Sequence, residues 1–448
     1  MTSTEAMGIT LKYQRRPNLH DMHEDIFREI FQYLNDEFVY FTLRSVSRNI
    51  KGYVDAYIQL GGIFMSVSRR DNVTEIWYVL EQNDKVRTIF SKLSDPYPYP
   101  PTRYYKEQIV STCWSTHTRE ILVHTVAELG GFGAKFKGKI VIGVHSYNME
   151  EESKTRKIKA SWPFDINEYN AKENKWIPIQ SIQSVNDCEN YDYLLGSGVP
   201  IKCWCQIGDS SLIIFYNEMN TIYTRLIHIN IAHEHSTTKT RNTLKRFGES
   251  RSTFSSYMVA FPFQLRGISE FSVIRIASNK IMLVGGIINN NVGHSMTKYN
   301  QQLWQGTLNK DGQNLTWARV DLIEIVSIKI HRNPLCFKLK DNVYITGGTN
   351  VPLWESGGIF VTNDLLSCDR YNLSENKYYT SVYTLPYILN YDETSILTND
   401  NETFAIILDD KYMKILLFTE DQGFKEFRNF SPMETKRKMT DRLIFNVK

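Results

Sequence analysis

The chain has 448 residues, 42% of them hydrophobic and 23% charged, the balance of a folded globular protein and not of a disordered one. A formal net charge of +3, from 52 Lys and Arg against 49 Asp and Glu, gives no general argument for nucleic acid as a partner. Aromatic residues make up 13%, with 26 Tyr and 23 Phe, which leans the composition toward half-buried pleated surfaces.

Residues Met1 to Pro17 contain no apolar stretch of the kind a secretory signal needs, and no apolar run of about 18 residues occurs anywhere. The six cysteines (Cys113, Cys188, Cys203, Cys205, Cys336 and Cys368) have neither a CxxC pair nor a disulfide-like rhythm. They read as small buried hydrophobes in a reducing compartment. Asn-x-Ser/Thr triplets at Asn72, Asn314, Asn372, Asn401 and Asn429 then read as chance. The expected address is cytoplasmic or nuclear, with no membrane and no nucleic acid among the partners.

From Met22 to Val54 the periodicity predicts two short helices. Ile26, Ile30, Phe31 and Leu34 fall at helical spacing, with Asp21 as a cap and Glu24 and Asp25 where the helix dipole favours acid. Asn35-Asp36 breaks the pattern with turn-prone residues. A second stripe runs through Val39, Leu43, Val46, Ile50 and Val54, and Gly61-Gly62 is expected to stop it. Helices this short are marginal alone, so their apolar faces need a cover, either the rest of the chain or a partner.

The same segment resembles an F-box. Glu24, Asp25, Ile26, Glu29, Ile30, Phe31, Tyr33 and Leu34 stand in that pattern's register, and Val46-Ser47-Arg48 follows at the expected distance. Met22-His23 stands where Leu-Pro is usual, and Ile50 where Trp is common. The resemblance implies docking to a Skp-type adaptor, and through it to a cullin. The adaptor contacts that it implies are Met22, Ile26, Ile30, Phe31, Leu34, Leu43, Val46 and Ile50. On periodicity alone, a helical hairpin packed on its own domain is the better reading.

After Gly62 the sequence becomes short apolar runs separated by polar turns, too closely spaced for βαβ units. Three segments share an order: an apolar strand ending in Gly, a looped strand with an aromatic, and a turn before a last aromatic. The first is Gly138–Gly143, then Phe164–Asn170, then Trp176. The second is Asn279–Gly286, then Trp304, then Trp317. The third is Asp341–Gly348, then Asn363–Tyr371, then Tyr379. Weaker copies begin at Ile63, Ser211 and Glu402, and Arg442–Val447 is a candidate strand for closing a ring. The order resembles the kelch repeat, each copy of which forms one propeller blade. It implies about six units of roughly 50–60 residues. A pair of β-sandwiches is the competing architecture.

The expected fold is therefore mainly β: a flexible terminus (1–18), a small F-box-like helical module (19–60) and a kelch-type propeller (61–448). His233-Glu-His235 and Cys203-Trp-Cys205 lack the further ligands a metal site needs, and no nucleotide, nucleophile-elbow or zinc-protease motif occurs. The basic stretches at Lys239–Arg246 and Lys436–Lys438 read as solvated surface. No catalytic residue, metal or cofactor is expected. The resemblance implies a substrate receptor of a cullin-type ubiquitin ligase, its propeller loops (Asn289–Lys298 and Val351–Asn363) holding an unknown protein substrate. The alternatives are a kelch scaffold without a ligase role and a propeller enzyme of the sugar-oxidase or sialidase sort.

Overall fold

The computed structural model describes residues 23–68, 73–93, 110–114, 121–125, 131–136, 139–145, 148–152, 157–161, 164–170, 175–182, 201–207, 211–218 and 221–230. Beyond these it describes 253–259, 261–265, 268–288, 298–323, 332–348, 353–354, 360–361, 365–389, 394–399, 401–409, 414–429 and 442–446. The chain divides into two compact units, Met1–Gly62 with Trp77–Ser91, and Ile63–Ile76 with Lys92–Lys448.

The architecture is mainly β. Among the described residues, six antiparallel sheets have four or more strands. From edge to edge the first sheet runs Lys85–Leu93, Val73–Gln82, Gln59–Ser68 and Arg442–Asn446. The second runs Lys175–Ile182, Phe164–Asn170, Lys139–His145 and Gly131–Phe136. The third is the meander Ile201–Ile207, Ser211–Glu218, Thr221–Asn230 and Thr253–Val259. The fourth is Ile268–Ala277, Lys280–Ile288, Trp304–Leu308 and Leu315–Arg319, with Lys298–Tyr299 pairing beside its second strand. The fifth is Leu335–Leu339, Asn342–Thr346, Ser367–Asn372 and Lys377–Thr384, and the sixth Thr394–Thr398, Phe404–Asp409, Lys414–Thr419 and Gly423–Asn429.

Within the second unit one edge strand of each sheet meets an edge strand of the next. The cycle is Gly131–Phe136, Ile201–Ile207, Ile268–Ala277, Leu335–Leu339, Thr394–Thr398 and Arg442–Asn446, and it returns to Gly131–Phe136. That closed succession is the topology of a β-propeller. Arg442–Asn446 enters it by pairing antiparallel with Phe64–Ser68, so a strand late in the sequence completes a sheet begun near its start.

Gly347-Gly348 sits just past the end of the strand Asn342–Thr346. Gly347 and Gly348 have φ of +59° and +124°, and a Cβ on Gly348 would fall on the carbonyl oxygen of Arg332. Only glycine tolerates both the conformation and the approach. Aromatics fill the space between the fifth and sixth sheets, where Phe337 stacks on Tyr344 at 5.1 Å and meets Phe418 edge-on at 5.0 Å.

In the first unit, α1 spans Glu24–Gln32 and α2 spans Arg48–Tyr57. Between them Phe38–Thr42 is a π-turn and Leu43–Ser45 a 3₁₀ turn, so the expected second helix is broken into three pieces. Ser47 starts α2 by accepting the Ile50 N–H at 3.2 Å. His23, not Asp21, caps α1, its Nδ1 accepting the Asp25 N–H; Asp21 lies outside the described residues. Gly61-Gly62 does not stop a helix either. It lies inside a strand, where a Cβ on Gly61 would collide with the Glu81 carboxylate. Among the described residues no helix is long and apolar enough to cross a membrane.

Candidate docking face

The core of the first unit is built by Phe27 and Phe31 from α1, Val39 and Tyr40 from the π-turn, Ile50, Val54 and Tyr57 from α2, and Leu80 from the adjoining strand. Phe27 lies against Tyr53 at 4.9 Å and Phe31 against Tyr57 at 5.2 Å, so aromatic pairs weld the two helices together. Arg44 donates from Nε to Asp55 Oδ1 at 2.6 Å and holds its guanidinium 5.0 Å from the Tyr40 ring centre. Burial is the main cause that raises the Tyr40 hydroxyl above its ordinary pKa, with Arg44 opposing it.

The eight residues expected to meet a partner are thereby divided. Phe31 and Ile50 are buried in the segment's own core. Leu34 and Leu43 pack partly against that core. Ile26, Ile30 and Val46 stand 47%, 38% and 58% exposed. Met22 lies outside the described residues. Tyr33 and Phe38, which the expected contact set omits, are exposed as well. The signal for Tyr33 was available, since it falls three residues after Ile30 and shares its side of α1.

Scattered apolar side chains are ordinary on a protein surface. Here Ile26 and Ile30, with Tyr33 at the C-cap of the nine-residue helix, form one exposed row beside the buried row of Phe27 and Phe31. Such a face has nothing left to contribute to its own fold. It can desolvate against another apolar surface.

Elsewhere, Cys205 is buried and its thiol is pushed up to about 12 by that burial, the wrong direction for a nucleophile. Burial likewise raises Cys336 and Cys368. Asp369 is fully buried and accepts from Tyr378 Oη at 2.8 Å and from the Ser381 N–H at 2.7 Å, a structural role in the fifth sheet. Among the described residues no group of three or more His, Cys, Asp or Glu could hold a metal. His233, His235, the basic stretches 239–246 and 436–438, and loop residues 289–297 lie outside the described residues. Of the loop 351–363, only Leu353–Trp354 and Phe360–Val361 are described, and they pair as a short ribbon.

No family model matches the chain, and no curated protein matches it. Solved structures do align with it. A periplasmic gluconolactonase of Pseudomonas aeruginosa is 7% identical with a TM-score of 0.37, over 83% of this chain and 96% of that one. A Bacteroides fragilis protein provisionally assigned as a 6-phosphogluconolactonase is 9% identical at 0.37, over 82% and 94%. A Trypanosoma rangeli sialidase is 10% identical at 0.37, over 72% and 52%.

These findings correct the reading taken from the sequence. The aligned structures are neither F-box nor kelch proteins, and Phe31 and Ile50, central to the implied adaptor contact, hold the first unit together from inside. They are named as enzymes, where the sequence led to the expectation of a ligase receptor, with a kelch scaffold as its alternative, and of no enzymatic activity. Identities of 7–10% at a TM-score of 0.37 transfer none of those activities to this chain.

Proposed function

We propose that the helical segment of this chain is a protein-docking site, and that Ile26 and Ile30 of α1 and Tyr33 at its C-cap form its centre. The observation that supports this reading is the exposure of these three side chains in a row beside Phe27 and Phe31, which already pack the helix onto its own core. Phe38 and Val46, exposed further along the same segment, extend the apolar surface a partner can cover. Covering such side chains contributes roughly 1 kcal/mol or more each, enough for a few of them to dominate a small interface. The six sheets then act as one six-bladed propeller, closed by Arg442–Asn446. The reading assigns a binding surface and leaves the chemistry of the propeller aside.

A photo-crosslinking amino acid at Ile30 tests it, with the same group at exposed Lys310 as control. The expected result is a discrete crosslinked protein from Ile30 that is absent from Lys310 and lost when Ile26→Asp is added. Identical products from both positions would overturn the docking site.

A further inference from the structure

Resting on that docking reading, we infer that the partner presents an apolar groove rimmed by Lys or Arg side chains. An α-helix turns about 100° per residue, which orders the side chains of α1 around its axis. Ile26, Ile30 and Tyr33 fall in one narrow arc. On one flank of the arc lie Phe27 and Phe31, which are buried. The other flank carries Glu29 and then Asp25, both exposed. The open border of the apolar face is therefore acidic.

Among the described residues, the segment's own cations leave that border mostly unpaired in charge. Arg28 lies on the far side of α1 and pairs with Glu24 at 2.7 Å. Arg44 is held by Asp55, and Arg87 by Asp36. Arg48 and Lys51 belong to α2. Among the described residues only His23 approaches the border, its Nδ1 3.1 Å from Asp25 Oδ2, and it offers charge only when protonated. Beyond the turn the pattern recurs, with exposed Glu37 beside exposed Phe38. A partner whose groove is rimmed by acid would meet like charge at Asp25, Glu29 and Glu37 as it closed on Ile26 and Ile30, whereas a basic rim would be drawn in.

The probes are two immobilised amphipathic helical peptides with the same leucine spacing, one with Lys and one with Glu on its polar face. Binding of the full chain is measured at about 50 mM and about 300 mM salt, which changes screening between surface charges. The Lys peptide is expected to bind roughly tenfold tighter at low salt, with the advantage shrinking at high salt. Asp25→Lys with Glu29→Lys is expected to reverse the preference. Equal binding of both peptides, or a preference unchanged in that double variant, overturns the charge inference. If the equal binding is lost in Ile26→Asp with Ile30→Asp, the docking face itself still stands. Binding of neither peptide overturns the inference and counts against the docking face too.

Discussion

Arg87 reaches across to Asp36 and places its Nε 2.8 and 2.9 Å from the two carboxylate oxygens, while its guanidinium carbon lies 4.8 Å from the centre of the Tyr57 ring. One side chain from the strand Lys85–Leu93 thus fixes both the turn after α1 and the last residue of α2. Asn35 shapes the same turn, its Oδ1 accepting the Glu37 N–H at 2.7 Å. The helical segment is held to its own strands by charge as well as by the Leu80 contact. Replacing Arg87 with Ala should cost about 1–3 kcal/mol, because a largely covered Asp36 is left without its cation. Urea midpoints of the two proteins measure this, and hydrogen exchange should speed up first around residues 35–45. Arg87→Lys keeps the charge and loses the flat contact with Tyr57, so its loss should be smaller.

Neighbouring residues on α1 should behave in opposite ways. Phe31→Ala empties a fully buried aromatic site and should destabilise the first unit by about 3–5 kcal/mol. Ile30→Ser changes a side chain that is 38% exposed and should leave stability within about 0.5–1 kcal/mol, while weakening partner binding. Thermal melts and the crosslinking yield, measured on both variants, separate the two effects.

Two glycines make a second contrasting pair. Gly348→Ala forces a Cβ onto the Arg332 carbonyl at φ +124° and should destabilise the protein by about 2 kcal/mol or more. Gly52 sits inside α2 with nothing within 4 Å of the place a Cβ would take, and Gly52→Ala should stabilise by about 0.5–1 kcal/mol. Chemical denaturation of both variants is the check.

Stability should also fall on the alkaline side. Burial raises the Cys205 thiol to about 12, and raises Cys336 and Cys368 as well. A thiol in the unfolded chain ionises near 8.5, so below that pH neither state gains from ionisation. Above it the unfolded state gains thiolates that the folded state resists, and stability drops by up to about 1.4 kcal/mol per pH unit per thiol. The urea midpoint should fall between pH 8.5 and pH 10, and Cys205→Ala should flatten the slope. The same burial predicts that a thiol reagent at pH 8 modifies Cys205 and Cys368 only on unfolding.

Much of the sheet architecture could be read from the chain. The runs at Asn279–Gly286 and Asp341–Gly348 became the strands Lys280–Ile288 and Asn342–Thr346, because β-branched and aromatic runs ending in glycine admit few other structures. The glycines there do what the spacing implied, giving φ values near +60° to +124° and close backbone approach. Gly61-Gly62 misled for a related reason. A glycine pair records that something comes close, but not whether the chain turns there, and what comes close is Glu81.

The helical segment was legible as helix but not as to which side faces inward. Ile26, Phe27, Ile30 and Phe31 make α1 apolar over an arc of about 140°, and periodicity cannot choose between the two rows. Partners chose: Phe27 and Phe31 meet Tyr53 and Tyr57, leaving the isoleucines outside. Val39, Leu43, Val46 and Ile50 fit a single helical stripe, yet Ser47 caps a new helix and interrupts it. A family pattern matched in register proved no guide to burial, since it is satisfied by residue types alone.

The pairing of Phe64–Ser68 with Arg442–Asn446 has a consequence for how the protein comes into being. As the chain leaves the ribosome, the strand Gln59–Ser68 emerges nearly four hundred residues before the strand that covers its free edge. Through that interval its hydrogen-bonding groups stand open to any other extended segment nearby. A message cut short just before codon 442 would therefore yield a chain with nearly all of its sheets but a permanently adhesive seam.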